Sequence, residues 1–536
     1  MQIQLSPMPL TIRERRQKVA NCMAENVRPR IVDIAAATGL KKSSVHRHQK
    51  GIERRNQYAE SSIWETAVGA AWLVRLVVAV VYHFGIQQGV GAESLSRFFK
   101  AIHIETHVGV SPSALRSLKG GLHEQVAAYA AAQSEHCQPK ASQGICVGAD
   151  ETFFDLPILV LIELASGFIF TEVKSASRTY QSWAAQLQSW WQASQWQCHF
   201  LVSDGARALV KLAVSGIGCV SVPDLFHAMR ALGRPLGKRL AQQLSQSQKQ
   251  AEQLSEQLAK TTAGTQRQTL TTQLHEAREK QQQDEQNQQT YHKALETLST
   301  CVHPFSLEMA QWQLGEALTT ALAAPLAILA GLAPVDNRQP VDKAIATFKA
   351  QIPGFAQGIH AWWQWATQAL AAETAQSETQ NWVLTAMLPW VYWTQQADKT
   401  RQPELKRQYK TAASVAFEAL IAHPYTDQID DLQQTRWRHW CRWMCAKYQR
   451  TSSAVEGRNG YLSQRHHVTR GFSQQSLKTL TTIHNFDLRR ADGSTAAQRL
   501  FGHQFPDLFE WVLSHHTELP LPRKAAKAHQ PKPLHA

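Results

Sequence analysis

The pattern of apolar and polar residues divides the chain into a region of predicted strands flanked by regions of predicted helices. Residues 144–235 contain short apolar runs bounded by turn residues, which is typical of β-strands. Elsewhere, apolar residues recur at intervals of three and four, which indicates helices. The expected strands cover residues 145–154, 156–165, 168–174, 198–204 and 218–223, and the helices among them cover residues 178–194 and 206–213. We therefore expect an α/β core with a mixed five-stranded sheet and large helical regions around it.

The first 56 residues contain a candidate DNA-binding motif. Residues 31–48 have the pattern of a helix, a tight turn and a second helix, with small residues at 35–37 that let the helices approach closely. Gly39 suits the turn because glycine tolerates a left-handed backbone. Polar residues at the start of the second helix are placed to reach base edges in a DNA groove: Ser43, Ser44, His46 and Arg47. We interpret this segment as a helix-turn-helix, with a plain helical hairpin as the alternative.

Helical patterns continue on both sides of the predicted strands. Residues 57–140 are expected to form either a second DNA-contacting module or a supporting helical domain. Residues 236–300 are rich in glutamine and carry leucines at helical spacing, which predicts an antiparallel hairpin with a turn at 261–265. Gly233 and Pro235 are expected to break the helix that precedes this hairpin. Residues 301–448 continue as tryptophan-rich helices, so a long helical region separates the strands from the C-terminal part.

Composition narrows the class of protein. The chain has 56 Lys and Arg against 42 Asp and Glu, and this net charge of +14 favours a polyanionic partner. The eight cysteines are scattered, so we expect a reducing cytoplasm, with Cys441 and Cys445 packed in a helix core rather than bound to zinc. Residues 67–82 are the longest apolar stretch, shorter than the roughly 20 residues that span a bilayer, so we expect a buried helix and no membrane.

Three acidic residues in separate segments are candidates for a metal site. Asp150 and Asp204 each end an apolar run that is expected to be a strand, and Glu456 lies far downstream in a segment expected to be helical. Carboxylate oxygens are the ligands that Mg²⁺ prefers, and two ions about 4 Å apart can perform in-line displacement at phosphorus. Each residue also has a plain alternative: a strand-end turn for Asp150, a helix cap for Asp204 and a surface position for Glu456.

Further polar residues lie close to these candidates in the sequence. Glu151 and Asp155 are rivals of Asp150 as ligands. His227, after the fifth predicted strand, is expected either to orient a phosphate or a metal-bound water, or to pack beneath the site. The segment after Glu456 is expected to contact the DNA backbone, with a solvated basic surface as the alternative. Its candidate DNA-binding residues are Arg458, Asn459, Arg465 and Arg470.

Several of these segments resemble the DDE transposases of bacterial insertion sequences. The resemblance rests on Asp150-Glu151-Thr152, on Ser203-Asp204-Gly205, on Phe226-His227 and on residues 455–463, Val-Glu-Gly-Arg-Asn-Gly-Tyr-Leu-Ser. The helical interruption before Glu456 also resembles that family. The long spacing between Asp204 and Glu456 departs from the family pattern, so Glu404 and Glu418 are formal rivals, although neither lies in a comparable motif.

The resemblance implies a ribonuclease-H-like core in which Asp150, Asp204 and Glu456 are catalytic and hold two Mg²⁺ or Mn²⁺ ions. It also implies a cytoplasmic, nucleoid-associated bacterial transposase that binds terminal inverted repeats and target DNA as a homo-oligomer. The organisation expected on this basis is a helix-turn-helix region at 1–56, a helical domain at 57–140, a first part of the core at 141–235, an all-α insertion at 236–448, a second part of the core at 449–520 and a flexible basic tail at 521–536.

Two other functions stay open at this point. One is a catalytically inactive, transposase-derived regulator that binds DNA without cutting it. The three carboxylates count against it, because a regulator has no need for acidic groups that repel DNA. The other is a structure-specific nuclease, against which the N-terminal sequence-recognition motif argues.

Overall fold

The structure, a computed structural model, describes residues 10–25, 29–139, 143–191, 195–313, 315–334, 338–516 and 518–522. The chain divides into two compact units, which we call the terminal unit, residues 1–138 with 460–536, and the central unit, residues 139–459. The second part of the core, predicted at residues 449–520, is divided between the units, because residues from 460 onward belong to the terminal unit. Of the predicted tail at 521–536, all but the first two residues lie outside the described residues.

The terminal unit begins with three helices around a small apolar core. Its first elements are α1 (Ile12–Glu25), α2 (Ile31–Thr38), α3 (Lys42–Arg55), a 3₁₀ helix (Ala59–Glu65), α4 (Ala67–Ala79) continued by a π-helix (Val80–Gln87), α5 (Ala92–Ala101) and α6 (Pro112–Gln133). Val19, Ile34 and Val45 are buried where α1, α2 and α3 meet. Gly39 has a φ of 69° in the turn between α2 and α3. The predicted succession of helix, tight turn and helix is confirmed.

The apolar stretch of the terminal unit forms a longer helix than expected. Among the described residues, the helical span 67–87 is the one long and apolar enough to cross a membrane by length and composition alone, at 21 residues. The helix is therefore longer than the stretch at 67–82 that the sequence predicts to be too short to span a bilayer. Val77, Val81 and Tyr82 are fully buried within the unit. Their burial fits the core helix that the sequence predicted.

The central unit is built on an open, mixed, five-stranded sheet, as predicted. Its first elements are β1 (Gly144–Phe153), β2 (Pro157–Glu163), β3 (Ile169–Lys174), α7 (Tyr180–Trp191), β4 (Gln197–Ser203), α8 (Arg207–Lys211) continued by a π-helix (Leu212–Ile217), and β5 (Val220–Pro223). The strand order is β3-β2-β1-β4-β5. β2 is antiparallel to β1 and β3, and β4 is parallel to β1 and β5. β1 therefore lies in the middle of the sheet and is paired on both sides.

A large helical region follows the sheet in the central unit. It contains α9 (Leu225–Lys260), α10 (Gly264–Cys301), α11 (Gly315–Gly331), α12 (Arg338–Glu373), α13 (Ser377–Trp382) continued by a π-helix (Val383–Met387), α14 (Leu388–Lys399), α15 (Pro403–Ala422) and α16 (Asp431–Lys447). The first two helices pack against each other across the turn that the sequence predicted. Cys441 and Cys445 of α16 are fully buried, in agreement with the expected core packing.

The predicted helix break at Gly233 and Pro235 is wrong, because α9 continues through both residues. Tyr291 of α10 donates a hydrogen bond from its hydroxyl to the Gly233 carbonyl at 3.0 Å. A side chain at Gly233 or Gly237 would collide with the same hydroxyl. The close packing of α10 thus supports α9 at the point where the proline removes one backbone hydrogen bond.

The last elements are α17 (Ser453–Thr469), α18 (Gln474–Phe486), α19 (Ala496–Phe501) and α20 (Leu508–His515). α17 begins in the central unit, and its residues from 460 onward belong to the terminal unit. Within the terminal unit, α18 and α20 both pack against α6. Glu456 lies in the first turn of α17, so its predicted position on a helix is confirmed.

Candidate functional site

Two of the predicted ligands lie at the same level on neighbouring parallel strands. Gly148 of β1 pairs with Val202 of β4. Continuing this register by two residues brings Asp150 beside Asp204, which directly follows the last residue of β4. Parallel strands lie about 4.8 Å apart, and residues at the same level point to the same face of the sheet. The two carboxyl groups therefore share one face, with Asp150 half-buried and Asp204 exposed.

The helix that carries Glu456 lies along β1 on this face. A Cβ added to Gly148 would meet Cγ2 of Val455 at 3.0 Å. Four residues further along α17, Nδ2 of Asn459 donates a hydrogen bond to Oδ2 of Asp150 at 2.9 Å. From Val455 to Asn459 the helix advances by one turn, about 5.4 Å, and from Gly148 to Asp150 the strand advances by two residues, about 6.6 Å. These two lengths are similar, as expected for a helix that runs along the strand. The start of α17 thus runs beside β1, and the missing side chain at position 148 is what permits that close approach.

We expect Gly148→Ala to lower the free energy of unfolding of the central unit by about 1–3 kcal/mol, as overpacking of a core usually does. The new methyl group would lie 2.6 Å from Cδ2 of Leu164 and 3.0 Å from Cγ2 of Val455. Urea unfolding measures the change. The matched control is Gly457→Ala, since nothing lies within 4 Å of a Cβ there. Alanine in a helix interior should stabilise by about 0.5–1 kcal/mol. Equal stability of both variants would contradict the close packing of α17 on β1.

Glu456 is held by the histidine that follows the sheet. Nε2 of His227, in the first turn of α9, lies 2.8 Å from Oε1 of Glu456. Burial by itself lowers the pKa of His227, but the hydrogen bond to Glu456 and the negative charges of Asp224 and Asp150 outweigh it and raise that pKa overall. The histidine was expected to orient a phosphate or a metal-bound water; in the structure its hydrogen-bond partner is the candidate ligand Glu456.

A buried carboxylate that is not among the site residues predicted from the sequence joins the two helices of the site. Asp224 precedes α9, and its Oδ1 accepts a hydrogen bond from the backbone N–H of His227 at 3.0 Å. Its Oδ2 accepts from the backbone N–H and the hydroxyl of Ser452 at 2.6 and 2.5 Å. Ser452 directly precedes α17, so Asp224 caps α9 and anchors the start of α17. The capping pattern of Asp before a helix was visible in the sequence, but its link to Ser452 was not.

The electrostatic state of Asp150 reflects a concentration of negative charge. Burial raises the pKa of Asp150 to about 7, and the charges of Glu456, Asp204 and Glu151 add to the rise, while a backbone hydrogen bond from Glu151 opposes it. Both Glu456 and Asp204 therefore lie close enough to act on Asp150. A cation bound among these groups would relieve the repulsion and favour the ionised carboxylate.

The candidate ligands are of the chemical type that magnesium prefers. Asp150, Asp204 and Glu456 offer oxygen atoms only, which suits a hard divalent cation. Among the residues that the structure describes, no three His, Cys, Asp or Glu side chains are grouped closely enough to hold a metal ion by themselves. Mg²⁺ in phosphoryl-transfer sites is commonly held by one or two carboxylates, with water and substrate phosphate completing its shell. A cation bound beside these carboxylates would therefore take most of its ligands from water and from a bound phosphate.

The rival carboxylates occupy different positions. Glu151 follows Asp150 in β1 and therefore points to the opposite face, where Nε1 of Trp183 donates to its Oε1 at 3.1 Å. Asp155 is exposed in the turn after β1. Glu404 and Glu418 are exposed on α15, and Glu404 forms an ion pair with a neighbour on the same helix. Their positions give no reason to prefer them over Asp150 and Glu456.

Two residues that were expected to contact DNA are buried inside the protein, and that prediction is wrong for them. Arg458 donates from Nε and Nη2 to the two carboxylate oxygens of Glu172, at 2.7 and 2.6 Å, and its side chain is 2% exposed. Arg465, within the terminal unit, is buried and donates from Nη2 to the carbonyl of Ile86 at 2.8 Å. The two arginines lie about two helical turns apart on α17, and each is buried within its own unit. Neither guanidinium is available to a phosphate.

The remaining candidates for DNA contact differ in their surroundings. Asn459 is engaged with Asp150 and so acts within the site. Arg470 is exposed directly after α17. In the N-terminal motif, Ser43, His46 and Arg47 are exposed on α3 and Ser44 is half-buried. These side chains are open to a partner on the helix that the sequence predicted to recognise DNA.

The C-terminal part of the chain is similar to a protein family. The family, described as a family of unknown function (DUF6399), matches residues 383–528, which include α17 with Glu456 and Asn459 but neither Asp150 nor Asp204. No curated protein and no solved structure matches the chain.

Proposed function

We propose that the protein is a DDE-type transposase that cleaves DNA strands at transposon ends and transfers them to target DNA in a metal-dependent reaction. The observation that carries the proposal is the approach of three carboxylates from separate parts of the chain. Asp150 of β1 lies beside Asp204 after β4, and α17, whose first turn carries Glu456, contacts Asp150 through Asn459. These three are the residues that the sequence motifs select.

The sheet supports a ribonuclease-H-like core for the central unit. Its strand order β3-β2-β1-β4-β5, in which only β2 runs antiparallel to its neighbours, is the order expected of such a core. In open sheets of this kind, ligands bind beyond the carboxyl ends of the parallel strands. Asp150 and Asp204 lie near that end of β1 and β4. The candidate site thus lies at the edge where open sheets of this kind usually bind ligands.

Asp150, Asp204 and Glu456 would hold two Mg²⁺ or Mn²⁺ ions. Such ions, when bound, activate the attacking oxygen and stabilise the leaving oxygen at phosphorus. Other side chains of the protein hold these carboxylates in position. Asn459 fixes one oxygen of Asp150, His227 fixes one oxygen of Glu456, and Asp224 anchors the helices that carry His227 and Glu456.

The exposed face of α3 would recognise terminal inverted repeats, and the net charge of +14 favours association with DNA. We expect the protein to act as a homo-oligomer, because a transposase must bring two ends together, and to work at the bacterial nucleoid in the cytoplasm.

Strand cleavage of DNA from both flanks of the gene tests the proposal. Cleavage with Mg²⁺ that EDTA abolishes would support a transposase. Sequence-specific binding without any cleavage would favour the regulator. Cleavage of branched DNA regardless of sequence would favour the structure-specific nuclease.

We expect Arg47→Ala to weaken binding to flank DNA about 10- to 100-fold, the usual loss for an arginine that contacts a base edge. Arg47 is exposed on α3, beside His46. Gel-shift titration at fixed salt measures the loss. The control is Lys280→Ala, which removes the same charge from an exposed position on α10. An equal loss for both variants would show that only the overall charge matters and would contradict recognition by α3.

A further inference from the structure

A large cleft opens beside Asp204 in the central unit. Its volume is about 870 Å³, near the upper end of the range for ligand clefts. One wall is formed by β4 and by β5, the last strand of the sheet, and the other by α12. Asp204 and Gly205 belong to the lining, so the cleft leads directly to the candidate site.

One face of α12 shapes this cleft. Residues 350, 354, 357, 361, 364 and 368 recur at intervals of three and four and so lie on one side of the helix. Small residues at 350, 354 and 361 keep the space open. Gly354 and Gly358 allow the helix to approach β5 closely, because a Cβ at either would come within 2.7 Å of Pro223 or Val222. The width of the cleft is thus set by backbone packing.

The polar groups that line the cleft are mainly neutral amides. They belong to Gln197, Gln351, Gln357, Gln364 and Gln368. Among the described residues of the lining, none is Lys or Arg, and Asp204 is the one carboxylate. The four glutamine side chains on α12 make no hydrogen bond to other parts of the chain that the structure describes, and three of them, at 357, 364 and 368, are exposed. Their donors and acceptors are available to a ligand.

This chemistry selects the bases of nucleic acid over its backbone. Phosphates are bound by Lys, Arg and backbone N–H groups, and the lining lacks both of these side chains. A primary amide has a carbonyl acceptor and two N–H donors, so it matches the paired donors and acceptors on a base edge. Base edges become fully accessible when a strand is unpaired. A cleft of this composition therefore suits unpaired bases.

We propose that the cleft binds unpaired bases of the DNA strand that lies next to the cleaved bond, with Gln357, Gln364 and Gln368 as its main contacts. The inference rests on the proposed function, because it takes Asp204 to be the point at which the DNA is cut. The glutamines would hold a locally melted end, while the exposed basic residues elsewhere hold the duplex.

The test measures binding of a short single-stranded oligodeoxynucleotide and of an abasic strand of the same length, without metal. We expect the full-length protein to bind the base-containing strand at least about tenfold more tightly, which corresponds to one good amide–base pair. The triple variant Gln357→Ala, Gln364→Ala, Gln368→Ala should lose this preference. The control triple variant Gln266→Ala, Gln273→Ala, Gln282→Ala, at exposed positions of α10, should keep it.

Equal affinity for the two strands, or an unchanged preference in the α12 variant, would overturn the inference about the cleft. Alanine is well accepted at exposed helix positions, so both variants should fold, and circular dichroism checks this. The assay contains no cleavage step and therefore separates the two proposals. Base-dependent binding by a protein that cuts no DNA would support base binding by the cleft and contradict the transposase, whereas metal-dependent cleavage without base preference would support the transposase and contradict base binding by the cleft.

Discussion

Asp150→Asn is expected to reduce metal-dependent strand cleavage by more than about 100-fold. Loss of a residue that only supports a metal ligand costs up to about 100-fold, and loss of a ligand itself should cost more. Asp150 is half-buried, and the negative charges of Glu456 and Asp204 both raise its pKa. Asparagine has the same shape and keeps an oxygen that can accept the hydrogen bond from Asn459. The substitution therefore removes a negative charge from the site with little change in packing.

Three measurements on the Asp150→Asn protein separate loss of chemistry from loss of structure. Cleavage of flank DNA with Mg²⁺ should disappear, binding of the same DNA should persist, and thermal stability without metal should be equal or higher, because repulsion among the carboxylates falls. Asp155→Asn, at an exposed turn residue of the same sheet, serves as the matched control and should cleave normally. Cleavage by the Asp150→Asn protein at the wild-type rate would show that this carboxylate is not a ligand.

Arg458→Ala is expected to destabilise the central unit by about 3–5 kcal/mol, the usual cost of removing one member of a buried ion pair. The side chain of Glu172 is fully buried, and both of its oxygens accept from Arg458. Without the guanidinium, a carboxylate would be left in the protein interior with its main charge partner gone. Arg458 also lies two residues after Glu456 on α17, so its loss should loosen the helix that carries Glu456.

Urea unfolding followed by tryptophan fluorescence measures this effect, because all tryptophans except Trp64, Trp72 and Trp511 belong to the central unit. Arg470→Ala, which removes the same charge from an exposed position, should change stability by less than about 0.5 kcal/mol. The double variant Arg458→Met with Glu172→Leu should recover much of the loss, since an apolar pair can replace a buried ion pair. Similar stabilities for Arg458→Ala and Arg470→Ala would contradict the buried pairing.

The strands, the helix-turn-helix and the helical hairpin could be predicted because each depends on local periodicity and on turn residues. The pattern of residues 144–235 is sufficient to recognise five strands, and Gly39 is sufficient to place a turn. The break expected at Pro235 failed for a non-local reason, since Tyr291 of a different helix packs against the region. When a residue that is distant in sequence stabilises a helix that contains an unfavourable residue such as Pro235, a rule based on local sequence cannot detect that stabilisation.

The residues of the candidate site also divide into those that local sequence predicts and those that depend on distant contacts. Asp150, Asp204 and Glu456 were found from motifs, because each lies in a recognisable local setting. Arg458 and Arg465 were misjudged because the density of basic residues in the sequence suggested an exposed surface, whereas Arg458 pairs with Glu172 and Arg465 bonds to the carbonyl of Ile86. Asp224 was overlooked because half of its role depends on Ser452, which is distant in sequence.

The sequence by itself determined which segments are strands and helices, the basic character of the chain and the three carboxylates that are candidates for a metal site. Only the tertiary structure decided which strands are neighbours, how α17 packs and which charged side chains lie close together. It put β1 between β2 and β4, set Asp150 beside Asp204, brought α17 against Gly148 and buried Arg458 on Glu172. The physical reason is that secondary structure follows from interactions within a few residues, whereas strand order, register and helix packing depend on complementary surfaces of segments that are far apart in the chain.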